Sequence, residues 1–406
     1  MKQEQTKQSE QINIDELPML NVGIVGHIDH GKTTLLWKLT GKWTDTHSEE
    51  LKRGITIKLG YADLVIRKNK EGYNTKSGEA LRYVTFVDAP GHEMLMATML
   101  SGAAMIDAAI LVIAANEGIK PQTREHLVAL EVKNINKIII VQNKIDLVSK
   151  EQAIKNYQEI KNFVAGTIAE KAEIIPCSAQ QEINIEKILE ALNKIEIPKR
   201  DIESEPLFII ARSFDVNKPG TKPANLNGGV LGGSLKQGKL KIGDEIEIKP
   251  GLLEESQNQQ VYKTVKTKIT SIHRGSYKIE QATPGSSLAL ETELDPFLTK
   301  ADNLSGTVAG LANKLPEITS NIKIKFKLFE QVLGTEKHEK VENLKPSELL
   351  MLSVNTSITV GLVKKIRNNE AELSLRIPIV PFSKENIGIA RNVGGHWRLI
   401  GWGEIV

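Results

Sequence analysis

A glycine-containing loop near the start of the chain constrains the fold more than any other feature of the sequence. Residues 26–33, GHIDHGKT, match the pattern G-x-x-x-x-G-K-[ST] and follow the apolar run LNVGIVG, which is typical of a buried strand. The following residues, TTLLWKLTG, can open a helix. Gly26 and Gly31 let backbone N–H groups curl around a phosphate, and the helix N-terminus adds positive charge. The sequence therefore predicts a phosphate-binding site at this loop.

Side chains of this loop are expected to act on the phosphates and on a metal ion. Lys32 reaches the terminal phosphates, and the Thr33 hydroxyl ligates Mg²⁺. Asp29 either contacts a cation near the phosphates or holds the loop by hydrogen bonds. With no cysteine nearby, we interpret His27 and His30 as structural residues and not as metal ligands.

A second motif, DAPGH at 88–92, follows the strand-like run VTFV. An Asp at a strand end near the phosphate loop can hold Mg²⁺ through water, Gly91 lets a backbone N–H approach the γ-phosphate, and His92 can orient an attacking water. A helix N-cap for Asp88 and a surface position for His92 are the alternatives. Between the two motifs, Thr56 in RGITI is a candidate second hydroxyl ligand in a loop that orders with triphosphate, although a strand would show the same pattern.

A third motif, NKID at 143–146, selects the base. Guanine presents N1–H and N2–H₂ donors that adenine lacks, and the carboxylate of Asp146 can accept both. Asn143 is expected to contact the O6/N7 side, the Lys144 stem to cover the base, and SAQ at 178–180 to offer a backbone N–H to O6. A polar turn with a helix cap is the alternative for NKID. The order of the motifs predicts GTP and not ATP.

The chain changes character half-way along. The first half alternates β-branched runs with amphipathic stretches, which predicts a mainly parallel α/β sheet; beyond a charged, proline-containing linker at 197–206, short alternating runs predict closed β-barrels or sandwiches. The predicted fold is an α/β P-loop GTPase domain followed by two all-β barrel domains. The predicted divisions are a flexible tail at 1–17, the GTP-binding domain at 18–200, and barrels at 206–316 and 317–406.

Composition excludes several classes of protein. Lys and Arg number 53 against 50 Asp and Glu, and this net charge of +3 excludes a strongly basic nucleic-acid coat. Basic clusters at 261–275, 321–327 and 363–368 fit either RNA phosphates or the solvated face of barrel strands. The single cysteine, Cys177, excludes an internal disulfide. Without a membrane-spanning apolar run or a signal peptide, we expect a cytoplasmic protein with no membrane partner.

The motifs, taken in this order, resemble those of translational GTPases, the superfamily of elongation factor Tu. Longer blocks, such as 47–62, 88–118 and 397–403, resemble the gamma subunit of archaeal and eukaryotic initiation factor 2, and the resemblance spans about residues 18–406. One departure is the segment 66–83, which lacks the cysteines of the zinc knuckle common in that family. We expect no zinc there, but a hairpin turning near Gly72 or Gly78.

The resemblance implies a function. The protein would bind GTP or GDP with Mg²⁺, bind methionylated initiator tRNA, and deliver it to the small ribosomal subunit as the core of a heterotrimer with alpha and beta subunits; GTP hydrolysis would release the tRNA. Three alternatives stay open: a tRNA-carrying elongation factor of the same superfamily, a GTPase subunit of a sulfate-activating enzyme, and a binding scaffold whose GTPase activity is marginal.

The resemblance also assigns roles to residues. His92 would orient water behind a hydrophobic gate of Ile28 and Ile55. Tyr61 matches a position near the aminoacyl end of the tRNA, although a buried strand tyrosine is equally consistent. The predicted nucleotide contacts are Asp29, His30, Gly31, Lys32, Thr33, Thr34, Gly91, Asn143, Lys144, Asp146, Ser178, Ala179 and Gln180. The predicted metal contacts are Thr33, Thr56 and Asp88, with Asp29 and Gly54 for a second magnesium ion.

Overall fold

The structure is a computed structural model that describes residues 13–44, 59–89, 96–256, 259–332, 340–382 and 385–406. These residues form an α/β unit followed by two β-barrels, which confirms the predicted fold class. The strands of the α/β unit are β1 (Met19–Gly26), β2 (Gly60–Asn69), β3 (Gly72–Asn74), β4 (Glu79–Asp88), β5 (Ala108–Ala114), β6 (Ile138–Asn143) and β7 (Glu173–Pro176). Its helices are α1 (Lys32–Thr40), α2 (Met96–Ala103), α3 (Pro121–Val132), α4 (Lys150–Val164) and α5 (Ile185–Lys194).

The described strands of this unit form a sheet in the order β3-β2-β4-β1-β5-β6-β7. The strands β4, β1, β5, β6 and β7 run parallel, whereas β2 and β3 are antiparallel additions at one edge. Every residue of β1 and β5 is buried, as expected for central strands of a parallel sheet covered on both faces. Because Ile24 pairs with Asp88, the carboxyl ends of β1 and β4 lie side by side. The phosphate loop and the DAPGH motif therefore begin at the same edge of the sheet.

Both barrels are closed by pairing between their strands. In the first, β11 pairs with both β16 and β12, which closes the ring; in the second, β17 pairs with both β20 and β22. The strands of the first are β8 (Leu207–Phe214), β9 (Val230–Gln237), β10 (Leu240–Lys241), β11 (Glu245–Ser256), β12 (Gln259–Arg274), β13 (Tyr277–Ile279), β14 (Gln281–Ala282), β15 (Ser287–Thr292) and β16 (Val308–Leu311), with a short helix α6 (Pro296–Thr299). Those of the second are β17 (Thr319–Leu328), β18 (Leu349–Val354), β19 (Ser357–Arg367), β20 (Glu370–Ile379), β21 (Asn386–Val393) and β22 (His396–Ile405).

Polar contacts fix the three units against one another. Within the predicted linker, Arg200 forms two hydrogen bonds of 2.7 Å with the carboxylate of Asp107 in the α/β unit, so the linker is packed at this point. On the other side, Glu125 of α3 forms a buried ion pair of 3.1 Å with Arg398 of β22. Lys133, just beyond α3, donates to the carbonyl of Asn386 at 3.0 Å. Helix α3 therefore lies between the sheet and the second barrel.

Two segments differ from the local predictions. Of the predicted flexible tail, residues 14–16 form a 3₁₀ turn in which Ile14 is buried and Asp15 pairs with the buried Arg274, so this part is held against the first barrel. The amphipathic pattern of residues 149–171 predicts one helix over that range, but helix α4 ends at Val164. Gly166 adopts φ of +75°, a left-handed conformation that interrupts a helix at little cost for glycine.

The segment 66–83 is a hairpin of β2, β3 and β4 held by hydrogen bonds. Asn74 Oδ1 accepts from the backbone N–H groups of Lys76 and Ser77, both at 2.8 Å, and Arg67 donates to the carbonyl of Gly78 at 2.8 Å. The ring of Tyr73 packs against the core of the α/β unit. Across the described ranges, no group of three His, Cys, Asp or Glu side chains is arranged to hold a metal ion. No helix in the described part of the chain is both long and apolar enough to span a membrane.

Candidate functional site

The phosphate loop connects β1 to α1 and requires glycine at two positions. Gly26 has φ of +140° and Gly31 has φ of +88°. A Cβ atom on Gly26 would lie 2.3 Å from the carbonyl oxygen of Val112, and one on Gly31 would lie 2.4 Å from Asn143 Nδ2. Because neither position accepts a side chain, the loop keeps the arched backbone that a phosphate site needs.

Two buried histidine side chains, one from the phosphate loop and one from α3, form hydrogen bonds that support the loop. His126 of α3 is buried, and its Nδ1 accepts a hydrogen bond of 2.8 Å from the N–H of Gly26. His30 is also buried, with Nδ1 3.2 Å from the carbonyl oxygen of Val112. Burial lowers the pKa of His126 to about 3 and that of His30 to about 4, so both rings are neutral. The ring of His30 is enclosed by protein, so the predicted nucleotide contact of His30 would have to be made by its backbone.

Lys32 lies inside the arch of the loop. Its side chain is buried, and Nζ donates to the carbonyl oxygen of His27 at 2.8 Å. The ammonium group is therefore held across the loop. From this position it can exchange its hydrogen bond to the His27 carbonyl for one to a phosphate oxygen. Around it, Asp29 is exposed and Ile28 and Thr34 are half-buried, so the side chains of all three are at least partly accessible.

A hydroxyl and a carboxylate meet at the ends of β1 and β4. Asp88 is fully buried, and its Oδ2 accepts a hydrogen bond of 3.2 Å from the Thr33 hydroxyl. Oxygen atoms of this kind are the ligands that Mg²⁺ prefers, and a phosphate-loop Thr with a strand-end Asp holds Mg²⁺ in P-loop NTPases. The donor set therefore fits a magnesium ion.

Asn143 ties three loops together. It is buried at the end of β6; its Nδ2 donates to the carbonyl of His30 at 2.9 Å, and its Oδ1 accepts from the N–H of Ala179 at 3.0 Å. The sequence did not predict this bracing role; it predicted a contact of Asn143 with the O6/N7 side of guanine and a backbone N–H from SAQ at 178–180 to O6. The same bonds fix the NKID loop and the 178–180 loop relative to the phosphate loop.

The rim of the predicted base site carries accessible polar groups. Asp146 is exposed within a short 3₁₀ turn, and Lys144, with φ of +62°, holds Nζ 3.3 Å from Glu117 Oε1. On the facing loop, Ser178 is buried and its Oγ accepts from the N–H of Gln181 at 3.2 Å, whereas Gln180 is exposed. The Asp146 carboxylate is thus available for the donors of a base.

A cavity of about 250 Å³ lies between β2 and the first barrel. Tyr61 lines it, with its hydroxyl 3.9 Å from Met105 Sδ; burial raises the pKa of Tyr61, so the hydroxyl stays protonated. Arg212 also lines the cavity and is fixed by hydrogen bonds to Asp302 at 2.8 Å and to the carbonyl of Leu59 at 2.9 Å. Other polar and aromatic residues of the wall are Lys42, Asp63, Phe214, His273 and Ser287.

Comparisons with known proteins agree with this geometry. Residues 17–198 match the family model described as the elongation factor Tu GTP binding domain, and residues 320–405 match that of the initiation factor eIF2 gamma C terminus. Translation initiation factor 2 subunit gamma of Archaeoglobus fulgidus is 51% identical over 404 residues, covering 96% of this chain and 95% of that protein. The Methanocaldococcus jannaschii protein of the same name is 50% identical over 416 residues, covering 100% and 99%.

The chain belongs to the translation initiation factor 2 subunit gamma family. It is a translational GTPase of translation initiation. Among solved structures, a bacterial selenocysteine-specific elongation factor, EF-Sec, superposes with a TM-score of 0.75 at 24% identity over 96% of this chain, which spans 58% of that longer chain. Elongation factor SelB from Methanococcus maripaludis, solved with the GTP analogue GppNHp, gives 0.72 at 24% identity over 96% and 79%. At this identity the two structures show the shared fold.

Part of the predicted site lies outside the described residues. This applies to Gly54, Ile55, Thr56, Gly91 and His92. Their roles therefore remain predictions.

Sequence reasoning missed two residues that the structure places at the site. His126 lies in PQTREHLVAL, and its one signal was a histidine among the apolar positions of a helix. Arg212 gave no local signal, because its role depends on the distant Asp302 and Leu59.

Proposed function

We propose that this family member binds GTP with Mg²⁺ at the phosphate loop and, in that state, carries methionylated initiator tRNA to the small ribosomal subunit. We further propose that it acts as the core of a heterotrimer with alpha and beta subunits and that GTP hydrolysis releases the tRNA. The observation that carries the proposal is the convergence of Lys32, the Thr33–Asp88 pair and the exposed Asp146 at one sheet edge.

The described residues support each part of nucleotide binding. Lys32 would exchange its bond with the His27 carbonyl for one with a terminal phosphate. Thr33 and Asp88 would hold Mg²⁺, which supplies charge neutralisation between phosphate oxygens when bound. Asp146 would accept the two donors of guanine that adenine lacks. Asp29 and Gly54 are the proposed holders of a second magnesium ion.

Hydrolysis is proposed to depend on the residues around the γ-phosphate. His92 would orient the attacking water, with Ile28 and Ile55 excluding other water before it. Thr56 and Gly91 would contact the site only while the γ-phosphate is present. Loss of those contacts lowers tRNA affinity only if tRNA binds the two nucleotide states differently.

The cavity beside Tyr61 is the proposed receptor for the aminoacyl end of the tRNA. It lies between the proposed GTP-binding domain, residues 18–200, and the proposed first barrel domain, residues 206–316; residues 317–406 form the second. At the cavity wall, the guanidinium group of Arg212 offers positive charge and a flat surface on which a base can stack. Tyr61 offers the face of its ring for the same purpose. A base-stacking surface of this kind suits the terminal nucleotide of a tRNA that carries an apolar amino acid such as methionine.

The basic clusters add less to this proposal. Lys323 pairs with Glu370 at 2.7 Å, and Lys263 pairs with Glu254 at 3.3 Å. Lysines that already pair with glutamates on the same sheet favour a solvated strand face over an RNA-binding surface.

The test is retention of methionyl-tRNA by the chain loaded with a non-hydrolysable GTP analogue. We expect initiator tRNA to be retained and elongator methionyl-tRNA to be retained much less, and Lys32→Ala to abolish retention together with GTP binding. Equal retention of both tRNAs would favour an elongation factor. No retention of either tRNA, with GTP still bound, would contradict the proposal.

A further inference from the structure

Thr44, which directly precedes the segment 45–58, contacts the proposed metal site. Its hydroxyl donates to Asp88 Oδ2 at 2.9 Å, the same oxygen that accepts from the Thr33 hydroxyl at 3.2 Å. Asp88 is fully buried and Thr44 is half-buried. A second hydroxyl thus lies on the carboxylate that the magnesium site uses.

The neighbouring strand is shaped to admit this contact. Gly60 pairs with Asp88 between β2 and β4. A Cβ atom on Gly60 would lie 2.8 Å from Thr44 Cβ and 3.4 Å from Asp88 Cβ. The absence of a side chain at position 60 therefore makes the room in which Thr44 reaches the carboxylate.

Competition follows from the chemistry of the carboxylate. Asp88 would hold Mg²⁺ through the lone pairs of its carboxylate oxygens, either by binding the ion directly or by accepting a hydrogen bond from a metal-bound water. The Thr44 hydroxyl donates a charge-assisted hydrogen bond to Oδ2 and so occupies one of those lone pairs. A hydrogen bond that forms only in the metal-free state stabilises that state relative to the metal-bound state. Such a bond therefore weakens metal binding.

We propose that Thr44 is a latch that holds Asp88 in the metal-free site and leaves it when Mg²⁺ binds. Thr44 is therefore a positioning residue that sets the magnesium concentration at which nucleotide is retained. This inference rests on the proposed function, specifically on magnesium at Thr33 and Asp88.

The experiment measures release of a fluorescent GDP from the full chain as free Mg²⁺ is lowered with a chelator. Thr44→Val keeps the branched shape that packs against Gly60 but removes the donor, and Thr44→Ser keeps the hydroxyl. We expect the Mg²⁺ midpoint of Thr44→Val to fall about tenfold and that of Thr44→Ser to stay within about twofold of the unsubstituted chain.

Trp43 gives a readout that does not depend on nucleotide release. Its indole is 43% exposed and lies 5.8 Å from the ring of Trp37. Departure of the adjacent Thr44 should change its fluorescence at the same Mg²⁺ midpoint, and this signal should be lost in Trp43→Phe.

Asp88→Asn separates failure of the latch from failure of the magnesium site. If Asp88→Asn raises the midpoint while Thr44→Val leaves it unchanged or also raises it, the latch is refuted and the magnesium site stands. If Asp88→Asn leaves the midpoint unchanged, both are refuted. Should Thr44→Val not fold, as judged by thermal unfolding, Thr44→Ala is measured against the same criterion.

Discussion

Replacing His126 with alanine tests whether the hydrogen bond from the Gly26 N–H to His126 holds the phosphate loop in its nucleotide-binding conformation. The substitution removes the acceptor of the Gly26 N–H, which lies 2.8 Å from Nδ1 of a side chain that is 1% exposed. A buried donor left without its partner costs about 1–3 kcal/mol. If that cost falls on the arched conformation that binds nucleotide, the affinity drops about 5- to 140-fold, at tenfold per 1.4 kcal/mol.

The assay is equilibrium titration of the chain with a fluorescent GDP at saturating Mg²⁺. His126→Asn is the matched control, because its side-chain oxygen can take the place of Nδ1 and should restore most of the affinity. Thermal unfolding of both variants shows that they are folded at the assay temperature. Unchanged affinity in a folded His126→Ala variant would refute the reasoning.

Three further predictions use the same structure. Asp146→Asn should lower GTP affinity by about 1–3 kcal/mol, measured by nucleotide competition, because an amide cannot accept both guanine donors; equal affinity would remove Asp146 from the base site. His126 and His30 have pKa values of about 3 and about 4, below the 6.5 of an unfolded histidine, so the unfolded chain takes up more protons as pH falls. Folding stability should therefore fall as the pH drops below about 6.5, by about 2 kcal/mol per histidine at pH 5. In denaturant melts, His126→Asn should show about half of the pH dependence that the two histidines cause together. A pH dependence identical to that of the unsubstituted chain would contradict this. Arg398→Met should lower the free energy of unfolding by about 3 kcal/mol, since it removes the cation paired with buried Glu125. Adding Glu125→Gln should recover most of that loss, and additive losses in the double variant would argue against the pair.

Much of the fold was predictable because its signals are local. The apolar runs that end at the phosphate loop, at Asp88 and at Asn143 are central strands, whose burial on both faces demands uninterrupted apolar residues. The sequence pattern predicts a helix at about 32–40, and α1 spans Lys32–Thr40, flanked by Gly31 and Gly41 in left-handed conformations.

What the sequence could not predict depends on contacts between distant residues. The bracing role of Asn143 requires His30 and Ala179 to lie within hydrogen-bond reach on two other loops. The packing of residues 14–16 depends on Arg274, which is more than 250 positions away in the chain. Neither relation leaves a periodic or motif signal, so tertiary structure alone reveals it.

The most direct measurement of the central claim is the dissociation constant of initiator methionyl-tRNA for the chain saturated with a GTP analogue and, separately, with GDP. The account predicts at least about tenfold tighter binding in the GTP-analogue state, a coupling of about 1.4 kcal/mol between the nucleotide and tRNA sites. Equal dissociation constants in the two states, with both nucleotides shown to be bound, would contradict it.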